Sequence, residues 1–313
     1  MNRGKWGESF LKSGLPLEHL TQVTFRSAGW SCSRQYEYAR SDKEGVWFEV
    51  DLVASSPNFN KDTGLEVLVE CKYHDLSRHW FFLPHDSQGR WCFDDRVLNC
   101  GPYQTLRNPR SNTFLPLAPQ SSGGIVVSED GTKQDNAVHT AIEQVVNAFV
   151  PRCLSHMFQY NIDFHNVITA EDELRFVPEA TALIPMVVTN AKLYRLKPEI
   201  TDLHVIRAAA EPKDIADEVP WTWCYHEAPS VLCHQNHAAI ERHVVEQAEL
   251  VYRFPHITDE LYRFIDRPNW LAVVNISALS DTISTIEKQF VSLKSRAVEA
   301  LIGQPKSRGG RKK

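Results

Sequence analysis

The pattern of apolar and polar positions in the first third of the chain predicts one helix followed by three strands. Residues 15–25 have helical spacing, and the Ala-Gly-Trp at 28–30 ends the helix. Residues 31–40 alternate polar with apolar side chains and predict a first strand. Two runs rich in Val, Leu and Phe, residues 47–54 and 65–73, are separated by polar turn residues. We therefore expect these two runs to form a hairpin.

The pattern changes twice before residue 200. Residues 74–136 show no lasting period, which predicts an irregular insertion or a small subdomain. Residues 138–150 carry an apolar stripe at helical spacing, and Pro151 is expected to kink or split this helix. Residues 182–191 predict a buried strand, followed by a hairpin or an extension at 193–196. The insertion, with bounds of about 74–135, therefore lies within a first domain of residues 1–200.

Residues 201–313 are predicted as a C-terminal α/β extension, which either stands as a small unit or completes the first one. The pattern favours a strand at 203–209, a helix at 238–252 and a buried strand at 270–277. Residues 279–301 predict an amphipathic helix. Its apolar face either packs within the chain or joins two copies as a homodimer.

Three charged side chains fall on the predicted hairpin. Asp51 lies in its first strand, and Glu70 and Lys72 end its second strand after Val67, Leu68 and Val69. Because side chains alternate along a strand, Glu70 and Lys72 project from one face, and pairing brings Asp51 alongside. The alternative is a solvated ion pair. The apolar flanks argue against it, since charges at the end of a buried strand are costly unless they are paired or bind something.

The spacing of Asp51, eighteen residues and then Glu70-Cys71-Lys72 resembles the D…ExK signature of the PD-(D/E)XK nuclease superfamily. The local sequences around Asp51 and Glu70 are most similar to its Mrr-like restriction endonuclease branch. Val50 stands where the superfamily name has proline, a position that varies among members. The resemblance implies a restriction-endonuclease-like core, which is a central mixed β-sheet flanked by helices.

The resemblance also implies an activity. The expected enzyme is a Mg²⁺-dependent endonuclease that hydrolyses phosphodiester bonds in DNA, in restriction or phage defence, with Mn²⁺ able to replace Mg²⁺. Asp51 and Glu70 would be metal ligands, with the backbone carbonyl of Cys71 as a third, and Lys72 the catalytic lysine. Many members carry a further acid on the first helix, for which Glu18, with Glu8 behind it, is the candidate. The alternative for Glu18 is that it complements the helix dipole.

Composition fits a protein of the cytoplasm. The chain has 313 residues, of which 42% are hydrophobic and 23% charged, and no apolar stretch approaches the ~20 residues that span a bilayer. Its seven cysteines are scattered, which predicts reduced thiols. The N-terminus lacks the apolar core of a signal peptide. No association with a membrane is expected.

Charge gives no global attraction to nucleic acid, because the formal net charge is −5. A DNA-cutting enzyme would need its positive charge concentrated near the cleft. The candidates are arginines around the irregular region and a basic tail: Arg78, Arg90, Arg96, Arg107, Arg110 and residues 306–313. For the tail, the sequence favours the alternative of a solubilising end. Near the same region, Trp80, Phe81 and Phe82 either stack on unpaired bases or, as the sequence favours, belong to the core. His74 either supports the site or is an ordinary strand-end residue.

Several alternatives stay open. One alternative is a zinc site formed by residues of the C-terminal part, namely Cys224, His226, Cys233, His234 and His237. Their spacing lacks the tight cysteine pair typical of structural zinc sites. No phosphate-binding loop is present in the sequence, so an energy-driven nuclease would need a separate ATPase or defence-system partner. The expected substrate is DNA, with RNA as the alternative, and the expected role is in defence, with repair as the alternative. The other readings are a nuclease-like subunit that binds nucleic acid or assembles without cutting, and an unrelated α/β interaction protein.

Overall fold

The fold is an α/β arrangement in which one large mixed sheet is flanked by helices. The computed structural model describes residues 5–39, 46–57, 63–75, 77–85, 119–128, 133–134, 137–167, 180–226, 230–246 and 270–288. Within these residues the helices are α1 Lys5–Lys12, α2 Leu15–Ser27, α3 Ala137–Val167, α4 Leu203–Ala208, α5 Pro212–Ile215, α6 Ser230–Glu246 and α7, described over 279–288. None of them is long and apolar enough to cross a membrane.

The strands of the described residues form one sheet. Their bounds are β1 Ser31–Ala39, β2 Trp47–Ser55, β3 Thr63–Lys72, β4 Arg78–Pro84, β5 Gln120–Ser128, β6 Lys133–Gln134, β7 Ala180–Thr189, β8 Lys192–Leu196, β9 Ala216–Val219, β10 Trp221–Tyr225 and β11 Trp270–Asn275. The order across the sheet is β1-β2-β3-β7-β11-β10-β5-β4-β8-β9, with β6 paired to β5. β1, β2 and β3 are antiparallel neighbours, whereas β3, β7 and β11 are parallel.

Helices cover both faces of the sheet. On one face, the apolar stripe of α3 packs with Leu68 of β3, Leu183 of β7 and two residues of α6. On the other face, α2 and α7 pack against alternate residues of the same strands, among them Val67 and Val69. The unalternating run 67–69 therefore belongs to a strand buried on both faces, as its sequence predicted. The parallel strands at the centre consequently have their charged residues only at the strand ends and in one internal ion pair.

Several predicted elements are present. The helix and three strands at the start of the chain correspond to α2, β1, β2 and β3, and the buried strands at 182–191 and 270–277 correspond to β7 and β11. Of the kink or split expected at Pro151, the split does not occur, since α3 is continuous through this residue. Two expectations were wrong. Residues 203–208 form a helix, α4, with its N-cap at Asp202. The described part of 74–136 contains regular strands of the main sheet, β4 and β5.

The strands on both sides of residue 200 belong to the same sheet. β11 lies between β7 and β10, and β9 pairs with β8. The part of the chain after residue 200 therefore contributes central strands to the sheet that carries β2 and β3. The C-terminal half of the predicted amphipathic helix and the basic tail lie outside the described residues.

Candidate functional site

The pairing of β2 with β3 stops at the predicted site. The last paired positions of this ladder are Leu52 and Val69. Beyond them, the backbone N–H of Cys71 donates to Oδ2 of Asp51 at 2.6 Å, so a side chain replaces the strand backbone as acceptor. The two strands thus separate where Asp51 and Glu70 would face each other, and the side chain of Asp51 holds the separated ends together.

An irregularity in the neighbouring strand accompanies this change. Gln35 of β1 lies opposite Asp51 and has a φ of 57°, in the left-handed region that non-glycine residues seldom adopt. On β2, Val50 packs on the α3 face of the sheet and Leu52 on the α2 face. Because residues two apart on a regular strand share a face, the strand must twist locally at Asp51. This twist gives the aspartate its orientation toward β3.

Glu70 and Lys72 form an ion pair on one face of β3. The distance from Lys72 Nζ to Glu70 Oε1 is 2.7 Å, and the side chain of Glu70 is only 3% exposed while that of Lys72 is 28% exposed. The second carboxylate oxygen of Glu70 is buried and has no hydrogen-bond partner among the described residues. Burial, and after it the charge of Asp51, raises the pKa of Glu70 to about 7, although Lys72 opposes the rise. The lysine therefore compensates the buried carboxylate only in part.

Asp51 and Glu18 complete the acidic group. Burial raises the pKa of Asp51 against the opposing effects of the Cys71 N–H and Lys72. Glu18 lies in the first turn of α2, one turn before Thr21, whose hydroxyl is 3.6 Å from the sulfur of Cys71. Burial, and then the charge of Asp51, raises the pKa of Glu18. The structure thus brings Glu18, Asp51, Glu70 and Lys72 within electrostatic range of one another, whereas Glu8 is exposed on α1.

A second buried glutamate on β3 differs from Glu70 in its hydrogen-bond partners. Glu66 shares a face with Glu70, but its two oxygens accept from Arg152 of α3 at 2.6 and 2.8 Å, and Ser55 donates to one of them. The guanidinium of Arg152 also lies 5.0 Å from the centre of the Tyr36 ring. Glu66 is therefore a satisfied structural group. The two-residue period predicts its face, but nothing in the sequence identifies its partner on α3.

The donor set at the end of β3 fits a hard divalent cation. Two carboxylates, one of them with a buried oxygen that lacks a partner, suit an ion such as Mg²⁺, which binds through one or two carboxylates and keeps several waters. The described residues contain no group of three His, Cys, Asp or Glu side chains arranged to hold a metal. Glu18 accordingly does not close a three-carboxylate cage with Asp51 and Glu70. A cation here would depend on water and backbone oxygen for its other ligands.

His74 connects this site to the next strand. Its backbone N–H donates to the side-chain oxygen of Asn190 at 2.7 Å, and the amide of Asn190 donates back to the His74 carbonyl at 2.6 Å. The imidazole packs edge-on against Trp80, and burial lowers the pKa of His74 to about 4. His74 thus fixes the chain directly after Lys72. No sequence pattern pointed to Asn190, because its role depends on the parallel pairing of β3 with β7.

The remaining candidates have separate locations. Trp80 and Phe82 are buried in the core, as the sequence favoured, while Phe81 stacks on Tyr194. Cys224 is buried, which raises the pKa of its thiol to about 12. Arg78 begins β4, and Arg90, Arg96, Arg107, Arg110 and residues 306–313 lie outside the described residues.

Comparison with family models, with curated proteins and with solved structures gives no significant match in any of the three. The case for a function therefore depends on the chemistry of the site itself.

Proposed function

We propose that this chain is a metal-dependent nuclease that hydrolyses phosphodiester bonds in DNA. The observation that carries the proposal is the convergence of Asp51, Glu70 and Lys72 where β2 and β3 separate, with one oxygen of Glu70 buried and unpartnered. Lys72 compensates only one oxygen of this carboxylate, and a buried carboxylate oxygen without a partner destabilises the fold. Perturbed carboxylates beside a lysine are typical of catalytic sites.

The proposed roles follow from these positions. Asp51 and Glu70 would hold Mg²⁺, which when bound stabilises negative charge on the phosphate and lowers the pKa of an attacking water. Lys72 is partly exposed, so its ammonium can turn from Glu70 toward the water or the scissile phosphate. Asp51 also fixes the Cys71 peptide. Glu18 of α2 lies within electrostatic range of Asp51 and Lys72 and would accept a hydrogen bond from a water.

The arrangement supports a restriction-endonuclease-like core. A helix carrying an acid, followed by three antiparallel strands carrying Asp51 and Glu70-Cys71-Lys72, is the opening order expected from the resemblance. The long helix α3 and the buried strand β7 follow later in the chain, and β7 pairs in parallel with β3. A role in restriction or phage defence is part of the same proposal and follows from the Mrr-like sequence around the site.

The test is cleavage of supercoiled plasmid and single-stranded DNA with Mg²⁺, Mn²⁺ or EDTA. Asp51→Ala should abolish both cleavage and the rise in melting temperature caused by Mg²⁺. Lys72→Met should abolish cleavage while keeping that rise. Lys213→Met is the matched control, because Lys213 is an exposed lysine paired with Glu211 away from the site. Cleavage by Lys72→Met at the wild-type rate would contradict the proposal.

Binding of DNA without cleavage at any metal concentration would favour the alternative, a subunit that binds nucleic acid with a nuclease-like fold. The melting temperature then shows whether the site binds Mg²⁺. If Mg²⁺ raises it and no DNA is cut, the missing component is a partner or a substrate and not the metal.

A further inference from the structure

A cavity of about 740 Å³ lies at the carboxyl ends of β7 and β11. It is lined by Asn190, Lys192, Leu193, Glu218, Asn275 and Ser277, among other residues. A volume of this size is within the range of small-molecule sites. None of the proposed catalytic residues lines it, so its presence is not explained by the metal site.

The cavity exists because two consecutive strands separate. β7 pairs with β3 and β11, but β8, which follows after only two intervening residues, pairs with β4 and β9. The bend between them is fixed by Asn275, whose amide donates to the Ala191 carbonyl at 2.8 Å. The space between the separated strands opens at the carboxyl edge of the sheet. Ligands of α/β sheets commonly bind in crevices of this kind.

The cavity and the proposed catalytic site lie on the same edge of the sheet. Lys72 pairs with Thr189 of β7, and Thr189 pairs with Asn275 of β11. At about 4.8 Å between neighbouring strands, the backbones of Lys72 and Asn275 are roughly 10 Å apart. This is the length of about three nucleotides at the ~3.4 Å rise of a B-form strand, and of fewer in an extended one. Asn190 bonds to His74 and also lines the cavity.

The lining has the chemistry of a nucleotide site. Pro220 lines the cavity and is exposed, so its ring offers an apolar surface for the face of a base. The amides of Asn190 and Asn275 and the hydroxyl of Ser277 already bond within the protein. The second N–H of each amide, the lone pairs of the hydroxyl and the carboxylate of Glu218 remain for the edge of the base. The exposed ammonium of Lys192 lies at the rim, where a phosphate would pass. A paired base cannot bond these groups through its Watson–Crick edge, because that edge is already bonded to the opposite strand.

We propose that this cavity receives one unpaired nucleotide of the substrate strand, within about three nucleotides of the bond that is cut. The inference rests on the proposed nuclease function and deepens it, because it makes the substrate a strand with at least one unpaired base. Single-stranded DNA, or a duplex containing an unpaired position, would then bind more tightly than a fully paired duplex.

The experiment measures binding by fluorescence anisotropy in the Lys72→Met background with Mg²⁺. Two labelled strands of equal length are compared, a single-stranded oligonucleotide of mixed sequence and a base-free deoxyribose-phosphate strand. The oligonucleotide should bind about ten-fold or more tightly than the base-free strand, since stacking of one base supplies the ~1.4 kcal/mol to which a ten-fold change corresponds. A fully paired duplex should not show this gain.

Variants connect the gain to the cavity. Ser277→Trp fills it and should bring the ratio of the two affinities close to one, while leaving the affinity for the base-free strand unchanged. Glu218→Trp fills it from another strand, so a folding defect in one variant leaves the other as the test. Lys192→Ala should weaken binding of both strands. Val231→Trp is the matched control, because it adds an exposed tryptophan on α6 that does not line the cavity.

The two proposals fail in different ways. Equal binding of the two strands by the parent protein, an unchanged ratio in both filled variants, or no binding of any oligonucleotide would overturn the cavity inference. If plasmid cleavage by the otherwise wild-type protein still depends on Mg²⁺, the nuclease proposal stands without it. The filled variants could lose base-dependent binding although the wild type cleaves nothing. This result would support the cavity inference and count against the nuclease proposal.

Discussion

The two buried glutamates of β3 make opposite predictions for the same substitution. Glu70 has one oxygen bonded to Lys72 and the other without a partner among the described residues, whereas Glu66 has both oxygens bonded to Arg152. Without divalent metal, the effect of Glu70→Gln on the free energy of unfolding should be more stabilising at pH 8 than at pH 5. Glu66→Gln should destabilise it, because Arg152 would lose its charged partner in a partly buried position.

The magnitude follows from the pKa of Glu70. Burial raises it from the ordinary 4.5 to about 7, so the folded state binds a proton more tightly than the unfolded state. Stability from this group is then fully present below pH 4.5 and decreases as the pH rises toward 7, where the buried carboxylate ionises. Removing the ionisable group removes that decrease. The difference between the effects of Glu70→Gln at pH 8 and at pH 5 should be about 2–3 kcal/mol.

The assay is urea unfolding of wild type, Glu70→Gln and Glu66→Gln at both pH values in EDTA. Comparing the two pH values cancels any fixed effect of the glutamine amide in the buried position, since that effect is present at both. If Glu70→Gln is equally destabilising at pH 5 and pH 8, or follows Glu66→Gln, then Glu70 is a satisfied structural residue and the reasoning about the site is wrong.

Three further predictions concern the same architecture. Because both carboxylates must be ionised to bind a cation, the rise in melting temperature caused by Mg²⁺ should be larger at pH 8 than at pH 6, and equal rises would exclude Glu70 as a ligand. Arg152→Met should cost about 3–5 kcal/mol in urea unfolding by leaving Glu66 buried without its partner, and a cost below about 1 kcal/mol would refute this. Gly124→Ala should cost about 1–3 kcal/mol, since its Cβ would lie 2.9 Å from both Phe82 and Val138, and an unchanged unfolding midpoint would show that the core yields there.

Local patterns in the sequence predicted the strands that carry the site but not the features that decide its chemistry. The apolar runs around Asp51 and Glu70 predicted the hairpin, and the two-residue period predicted that Glu70 and Lys72 lie on one face. The left-handed conformation of Gln35 and the hydrogen bond from Cys71 to Asp51 have no such signal. They arise from a twist between strands, which depends on tertiary packing and not on the order of residues in one strand.

Long-range pairing was the second limit. A buried strand at 270–277 is evident from its composition, but its place between β7 and β10 depends on partners about 50 to 90 residues away in the chain. The strands β4 and β5 were missed for a related reason, since Gly123 and Gly124 weaken the strand signal in β5 and a bulge interrupts its ladder with β4. Asn190 likewise has meaning only once β7 is known to lie beside β3.

The contrast between Glu66 and Glu70 bears on why the second residue is there at all. Both occupy buried positions on one face of one strand, and the chain supplies Glu66 with a bidentate arginine and a serine hydroxyl. It supplies Glu70 with one lysine and places a second carboxylate, Asp51, close enough to raise its pKa further. For folding alone, this is the worse arrangement, because like charges share a poorly solvated space. In the proposed function, a divalent cation would reverse the balance by attracting both carboxylates at once and releasing the lysine. The electrostatic cost at Glu70 is the property of the site that the proposed metal binding would explain.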